Sequence, residues 1–381
     1  MSSASSAGKR PPPVAPVEVA PAPPGAPAAR SSGPPKARFP RLNAGIDATI
    51  RALSLIGLGF LKPVMAICRG EDPRAHMRQL WLDLGAPVLA IVAFLFVWSH
   101  VSSSIHTSLG QIPGPVAVWV QTKSLWADHL VQREKATAFY ERQEKRNAEK
   151  RVEDPGAQIS TAGYTGKPTY IDQIFTSLKT VFAGFLLATL IAVPLGILCG
   201  ASRTFNAMFN PLIQLFKPVS PLAWLPIVTM IVSAVYVTAD PMFDKSFINS
   251  AVTVTLCSLW PTVINTAVGV ASIDRDLLNV ARVLRLQKFT QLTKLVLPSS
   301  LPYIFTGMRL SLGVGWMVLI AAEMLAQNPG LGKFVWDEFQ NGSSESLSRI
   351  MVAVFTIGII GFLLDRVMLA LQSAFSYGPT R

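Results

Sequence analysis

Charge is what this chain has least of. Asp, Glu, Lys and Arg make up only 15% of its 381 residues, while half are hydrophobic; an ordinary soluble domain is about a quarter charged. That balance excludes a typical soluble enzyme. Cysteine is nearly absent. Cys68, Cys199 and Cys257 stand far apart, so neither a disulfide framework nor a zinc spacing exists, and they read as packing residues. His76, His100, His106 and His129 form no metal-ligand pattern. Phosphate loops are missing too: Gly166-Lys167 runs into Pro168 and Gly332-Lys333 into Phe334, and neither has the upstream glycine of G-x-x-x-x-G-K-[ST]. No H-E-x-x-H, G-x-S-x-G or G-x-G-x-x-G occurs. No catalytic residue, metal or cofactor is therefore expected on this chain.

What the chain does have is apolar residues in blocks near the roughly 20 needed to cross a bilayer. Spans are expected at Leu84–Val101, Phe175–Gly200, Met208–Val237, Ala251–Val270, Leu301–Leu325 and Ile350–Leu371. The sequence thus predicts an all-α integral membrane protein with about six transmembrane helices. The formal charge of +12 suggests nucleic acid at first sight. Its basic residues lie mostly in the tail and in loops beside spans, which the positive-inside bias explains, so no nucleic-acid partner is expected. Arg74 and Arg78 ahead of the first span put the amino terminus inside.

Composition divides the chain further. Residues 1–42, rich in Pro, Ala, Ser and Gly, read as a disordered cytoplasmic tail with no signal-peptide core. Residues 43–82 read as a cytoplasmic helix region resting on the membrane interface; if 46–68 crosses instead, the spans become seven. The first transmembrane helix takes 83–105. An extracytoplasmic segment follows over 106–173, with a turn and helix start at Gln111–Trp119 and a charged helical insert from Asp128 to Val152. That insert is either a solvated helix or a docking surface. The core of five further spans occupies 174–373, and 374–381 form a cytoplasmic tail.

Two places in the core call for comment. The third span is interrupted by Pro211, Pro218, Pro221 and Pro226. Broken backbone at membrane depth is tolerated where it is buried in protein or lines a cavity. Pro218, Pro221, Trp224 and Pro226 are therefore candidate walls of a translocation path, against the plainer reading of a kinked packing helix. In the fifth span, Arg309 and Glu323 lie about 21 Å apart along a helix and cannot pair. With Trp316 they are further path candidates, although each charge is free to snorkel to its own interface. Asp365-Arg366 in the sixth span reads as a structural pair between packed helices.

Between the fourth and fifth spans lies a polar island, Asp276 to Pro298. At helical spacing, Arg275, Asn279, Arg282 and Arg285 form one stripe, and Leu277, Val280, Ala281 and Leu284 the opposite apolar face. Pro298 is expected to stop the helix. Such a segment is shaped to lie in a groove on a soluble partner. Its spacing resembles the E-A-A, three residues, Gly, nine residues, I-x-L-P loop of permeases of binding-protein-dependent ABC importers. Asn279, Val280, Ala281, Arg285, Leu295, Leu297 and Pro298 take those places. Arg285 stands where the family has Gly, which puts the loop's bend in question, because Arg adopts positive φ at a cost. Pro211–Pro226, Leu301–Trp316 and Ala321–Leu325 extend the resemblance to the nitrate, sulfonate and taurine branch. Leu278–Leu284, Pro261–Ser272 and Gly358–Arg366 look most like nitrate permeases.

The resemblance implies a type I ABC importer permease fold in a bacterial inner membrane, and a subunit that is not itself an enzyme. It implies a second permease copy, two ATP-binding subunits carrying ATP and Mg on the cytoplasmic side, and a periplasmic substrate-binding protein, all around a chain embedded in lipid. Asp276, Leu277, Leu278, Asn279, Val280, Ala281, Arg282, Leu284 and Arg285 would form the ATPase-coupling helix, within a coupling segment at 275–297. Nitrate is the expected cargo, with taurine or alkanesulfonate next and then bicarbonate or cyanate. A gradient-driven carrier or channel, and a membrane-bound enzyme, are the readings from other classes.

Overall fold

The computed structural model describes Arg78 and residues 81–107, 110–153, 162–237, 242–343 and 345–375. The expected tail at 1–42, most of the interfacial region expected at 43–82 (residues 43–77), and the last residues, 376–381, lie outside the described residues. Apart from a two-residue pairing of β1 (His106–Thr107) with β2 (Gly110–Gln111), the regular structure described is helical.

Helix α1 (Ala86–Ser104) continues a π-helical turn at Trp81–Gly85. It is apolar all round and lies outside the bundle, as a lipid-facing helix must. Its Trp98 ring sits 5.0 Å from Phe355 of the last helix. Helix α2 (Pro115–Glu153) then runs unbroken through the charged insert. Proline suits its first turn, where the missing N–H has no partner anyway. His129 Nδ1 lies 2.7 Å from Thr169 Oγ1, and Arg133 pairs with Asp172. Thr169 and Asp172 are themselves the capping box that starts α3 (Tyr170–Ala201). The charged helix is thus tied to a span entrance.

Ser202 ends α3 and caps α4 (Arg203–Phe216), which is followed by α5 (Pro221–Val235) and α6 (Lys245–Ala271). After α6 come α7 (Arg275–Val283), α8 (Lys288–Gln291) and a π-helical turn at Leu292–Val296. Then follow α9 (Leu297–Ala326), α10 (Leu331–Asn341) and α11 (Ser346–Phe375). Among the described residues, five helical stretches are long and apolar enough to cross a membrane, six if the bent pair α4–α5 counts as one span.

The centre is α6, packed against α3 on one side and α9 on the other. Small residues let these backbones approach. A Cβ on Gly196 of α3 would lie 2.6 Å from Thr266, and one on Gly307 of α9 would lie 2.9 Å from the Thr262 backbone. Hydroxyls cross the same seams: Thr262 Oγ1 lies 2.7 Å from Ser311 Oγ, and Ser311 donates to the Ser258 carbonyl. Val181, Val254, Val263 and Leu319 are sealed between the three helices.

One expectation is corrected here. Asp276–Pro298 is not a single helix stopped by proline. The helix ends at Val283, and Pro298 sits in the first turn of α9. Proline marks starts as well as stops, since a first-turn residue needs no N–H partner.

Candidate functional site

The α7 helix begins where the Asp274 carboxylate accepts the Asp276 N–H at 3.0 Å, a side-chain cap of the ordinary kind. Its end is less ordinary. Leu286 N donates to Ala281 O at 3.1 Å and Arg285 N to Arg282 O at 3.0 Å, the double bond pattern that closes a helix through one left-handed residue. That residue is Arg285, at φ 48°. The bend expected to need glycine therefore forms with arginine, at a conformational cost of about 1 kcal/mol.

Two sides of α7 behave differently. Leu278 and Ala281 turn into the chain, where Leu278 packs on the cluster of Val270, Ile273 and Val296 and Ala281 is buried. Leu277, Val280, Val283 and Leu284 are 47% to 82% exposed, and Phe289 beyond the bend is exposed too. Asp276, Asn279, Arg282 and Arg285 rim this stripe, with Arg282 donating to Asn279 Oδ1 at 3.2 Å. Ala281, expected on the outward apolar face, belongs to the inner one.

The broken span turns by 103° between α4 and α5. Pro218 falls in the link, and Ser220, held extended ahead of Pro221, caps the new helix by accepting Leu222 N–H at 3.3 Å. Aromatic rings brace the corner: Phe216 lies 5.7 Å from Trp224 and stacks on Trp260 at 6.3 Å. Pro226 lies one turn into α5.

The other expected path residues go elsewhere, each to its own partner. Arg309 does not snorkel: its Nη2 donates to Asp365 Oδ2 of α11 at 3.0 Å, with both side chains half-buried. Trp316 is buried and donates Nε1–H to the Ile357 carbonyl at 3.0 Å. Glu323 is wholly buried. Its oxygens accept from the Ser177 hydroxyl of α3 at 2.9 Å and from Gly332 N at 2.9 Å, while Leu331 N donates to Ser177 Oγ at 2.8 Å. A buried carboxylate needs such donors, and these are worth more to it than a distant interface. Glu323 thereby pins the tight turn between α9 and α10, which includes Gln327 at φ 56°, onto α3. Arg309, Trp316 and Glu323 do not converge on one space.

A polar groove among the described residues was missed in the sequence. Arg203, Asn206, Asn210, Gln214 and Lys217 share one flank of α4 and line a groove of about 650 Å³ against the ends of α3 and α6. Their three- and four-residue spacing was the available signal. Among the described residues, no three His, Cys, Asp or Glu side chains converge as a metal site requires.

Comparison with known proteins decides the family. The model of the binding-protein-dependent transport system inner membrane component matches residues 192–377. The nitrate import permease protein NrtB of Synechococcus elongatus is 32% identical over 281 residues, spanning 74% of this chain and 86% of that protein. This chain belongs to that permease family. As such a permease it is a multi-pass membrane subunit of an ABC importer and not an enzyme. The bicarbonate transport system permease protein CmpB of the same organism is 34% identical over 287 residues, 75% of this chain and 87% of that permease. Among solved structures, a chain from inward-facing conformations of the MetNI methionine ABC transporter is 14% identical. It overlaps 54% of this permease and 95% of its own length, with a TM-score of 0.46.

Proposed function

We propose that the permease carries nitrate across a bacterial inner membrane, driven by ATP hydrolysis on two separate ATP-binding subunits. The observation that carries the reading is α7: a short helix at one end of the bundle that exposes a continuous apolar stripe, in a chain without a phosphate loop. An energy-supplying partner has a surface to seat on, and the ATP and Mg belong to that partner. Arg275, Arg282, Arg285, Lys288 and Lys294 around it favour the cytoplasmic side. The α10 end then faces outward, where a substrate-binding protein delivers cargo beside α2 and α10. A second permease copy completes the path. ATP binding draws the two ATPases together, α7 moves with its partner, and the helices switch between inward- and outward-facing arrangements.

Likeness to a nitrate permease supports the cargo. Bicarbonate is the second reading, favoured by the 34% identity to CmpB; taurine, alkanesulfonates and cyanate follow. Uptake of labelled nitrate and labelled bicarbonate by a deletion strain and its complemented parent tests the choice. Loss of nitrate uptake alone, restored by the gene, is expected. Loss of bicarbonate uptake alone would move the cargo to the second reading, and loss of neither would reject both.

A further inference from the structure

The groove beside α4 has a chemistry of its own. Along 14 residues this helix shows three faces. Ile213 and Phe209 pack on the cluster of Ala188, Ala192 and Val263. Met208, Leu212 and Leu215 are exposed on one flank. The opposite flank carries Arg203, Asn206, Asn210, Gln214 and Lys217, and it turns toward α6, not away from it. Polar groups within a membrane-spanning bundle persist where they line protein or water-filled space, and here that space is open.

Its lining is one-sided. The five polar residues offer a guanidinium, an ammonium and three carboxamides. Among the described residues no carboxylate lines the groove, and the far wall, including Ala267 and Val268, is apolar. Among the described residues, none of the five side chains forms an ion pair or a side-chain hydrogen bond within the chain. The cations therefore attract negative charge that the fold itself does not supply, in a groove where all five side chains are exposed and open to water. Amide N–H groups between the two cations, which are about 21 Å apart along the helix, can hand an oxyanion from one to the other.

We propose that this groove is a binding station for the transported anion, with Arg203 and Lys217 at its ends and Asn206, Asn210 and Gln214 donating hydrogen bonds between them. The ligand class is a small, singly charged oxyanion. The proposal rests on the reading of the chain as an anion permease. The charge pattern selects a small anion in transit; a lipid phosphate seated in the groove is the competing occupant for the test.

The test is thiol chemistry in the complete transporter. Asn210→Cys, in a background of Cys68→Ser, Cys199→Ser and Cys257→Ser, is labelled with sulfonate-bearing and trimethylammonium-bearing methanethiosulfonates. Rates are scaled to those of a free thiol in solution. Preference for the anionic reagent of about tenfold or more is expected, reduced by Arg203→Gln with Lys217→Gln and competed by added nitrate. Equal scaled rates would overturn the proposal. So would a preference that appears in phosphatidylcholine nanodiscs but not in membranes containing acidic lipid, because lipid phosphate would then be the occupant. A second pair of variants separates charge from structure: Asn210→Asp should import the cargo anion at least about tenfold more slowly than Asn210→Lys. Similar rates for the two would also count against the station. If the anionic preference holds while wild type imports neither nitrate nor bicarbonate, the cargo is wrong and the groove stands.

Discussion

At Arg285 a single residue stores strain that the loop could do without. Its φ of 48° closes α7, and only glycine adopts that conformation freely. Arg285→Gly should stabilise the folded chain by about 1 kcal/mol, seen as a higher thermal midpoint in detergent; a lower midpoint would mean the arginine side chain holds the turn by contacts worth more than the strain. Glu323 makes the opposite case. Glu323→Ala removes the acceptor of the Ser177 hydroxyl and of Gly332 N–H in a sealed site, and should cost about 3 kcal/mol. The midpoint should fall, and α10 should exchange its amides faster. Neither residue's role was legible in the sequence. A charge inside a span invites a functional or snorkelling reading, and the donor that decides the matter, Ser177, lies 146 positions away. The departure at Arg285 was visible, but the bond pattern that tolerates it was not.

Among the elements, α7 was readable in place and amphipathic character, because both follow from spacing. Its inner side was not readable: Leu278 packs on Val270, Ile273 and Val296 of the same chain, and Ala281 is buried. That changes the variant to make. Ala281→Asp places a charge in the chain's own core and should lower the amount of protein in the membrane. Val280→Asp alters an exposed position, and should leave that amount alone while cutting anion uptake about tenfold or more. Full uptake by Val280→Asp would remove the stripe from the coupling role. The break between α4 and α5 was legible from its prolines, whereas the polar flank of α4 was masked by reading Met208–Val237 as one apolar span. Proline at 298 misled because the same residue type starts and ends helices. The charged insert lies within the helix α2, and its attachment through His129 and Arg133 depends on Thr169 and Asp172, which only the folded chain brings near.

For the whole molecule, hydropathy alone gave the all-helical membrane architecture, since each span is long and apolar by itself. The arrangement around α6 needed the glycine and hydroxyl contacts with α3 and α9. The proposed function rests on the missing phosphate loop and on the exposed apolar stripe of α7. The measurement that bears most directly on this is anion accumulation in vesicles holding the complete transporter and binding protein, with ATP and Mg placed only on the α7 side. Accumulation is predicted to require that ATP, to stop with a non-hydrolysable analogue, and to survive a protonophore. Accumulation without ATP that collapses when the proton gradient is removed would contradict it and make the chain a gradient-driven carrier.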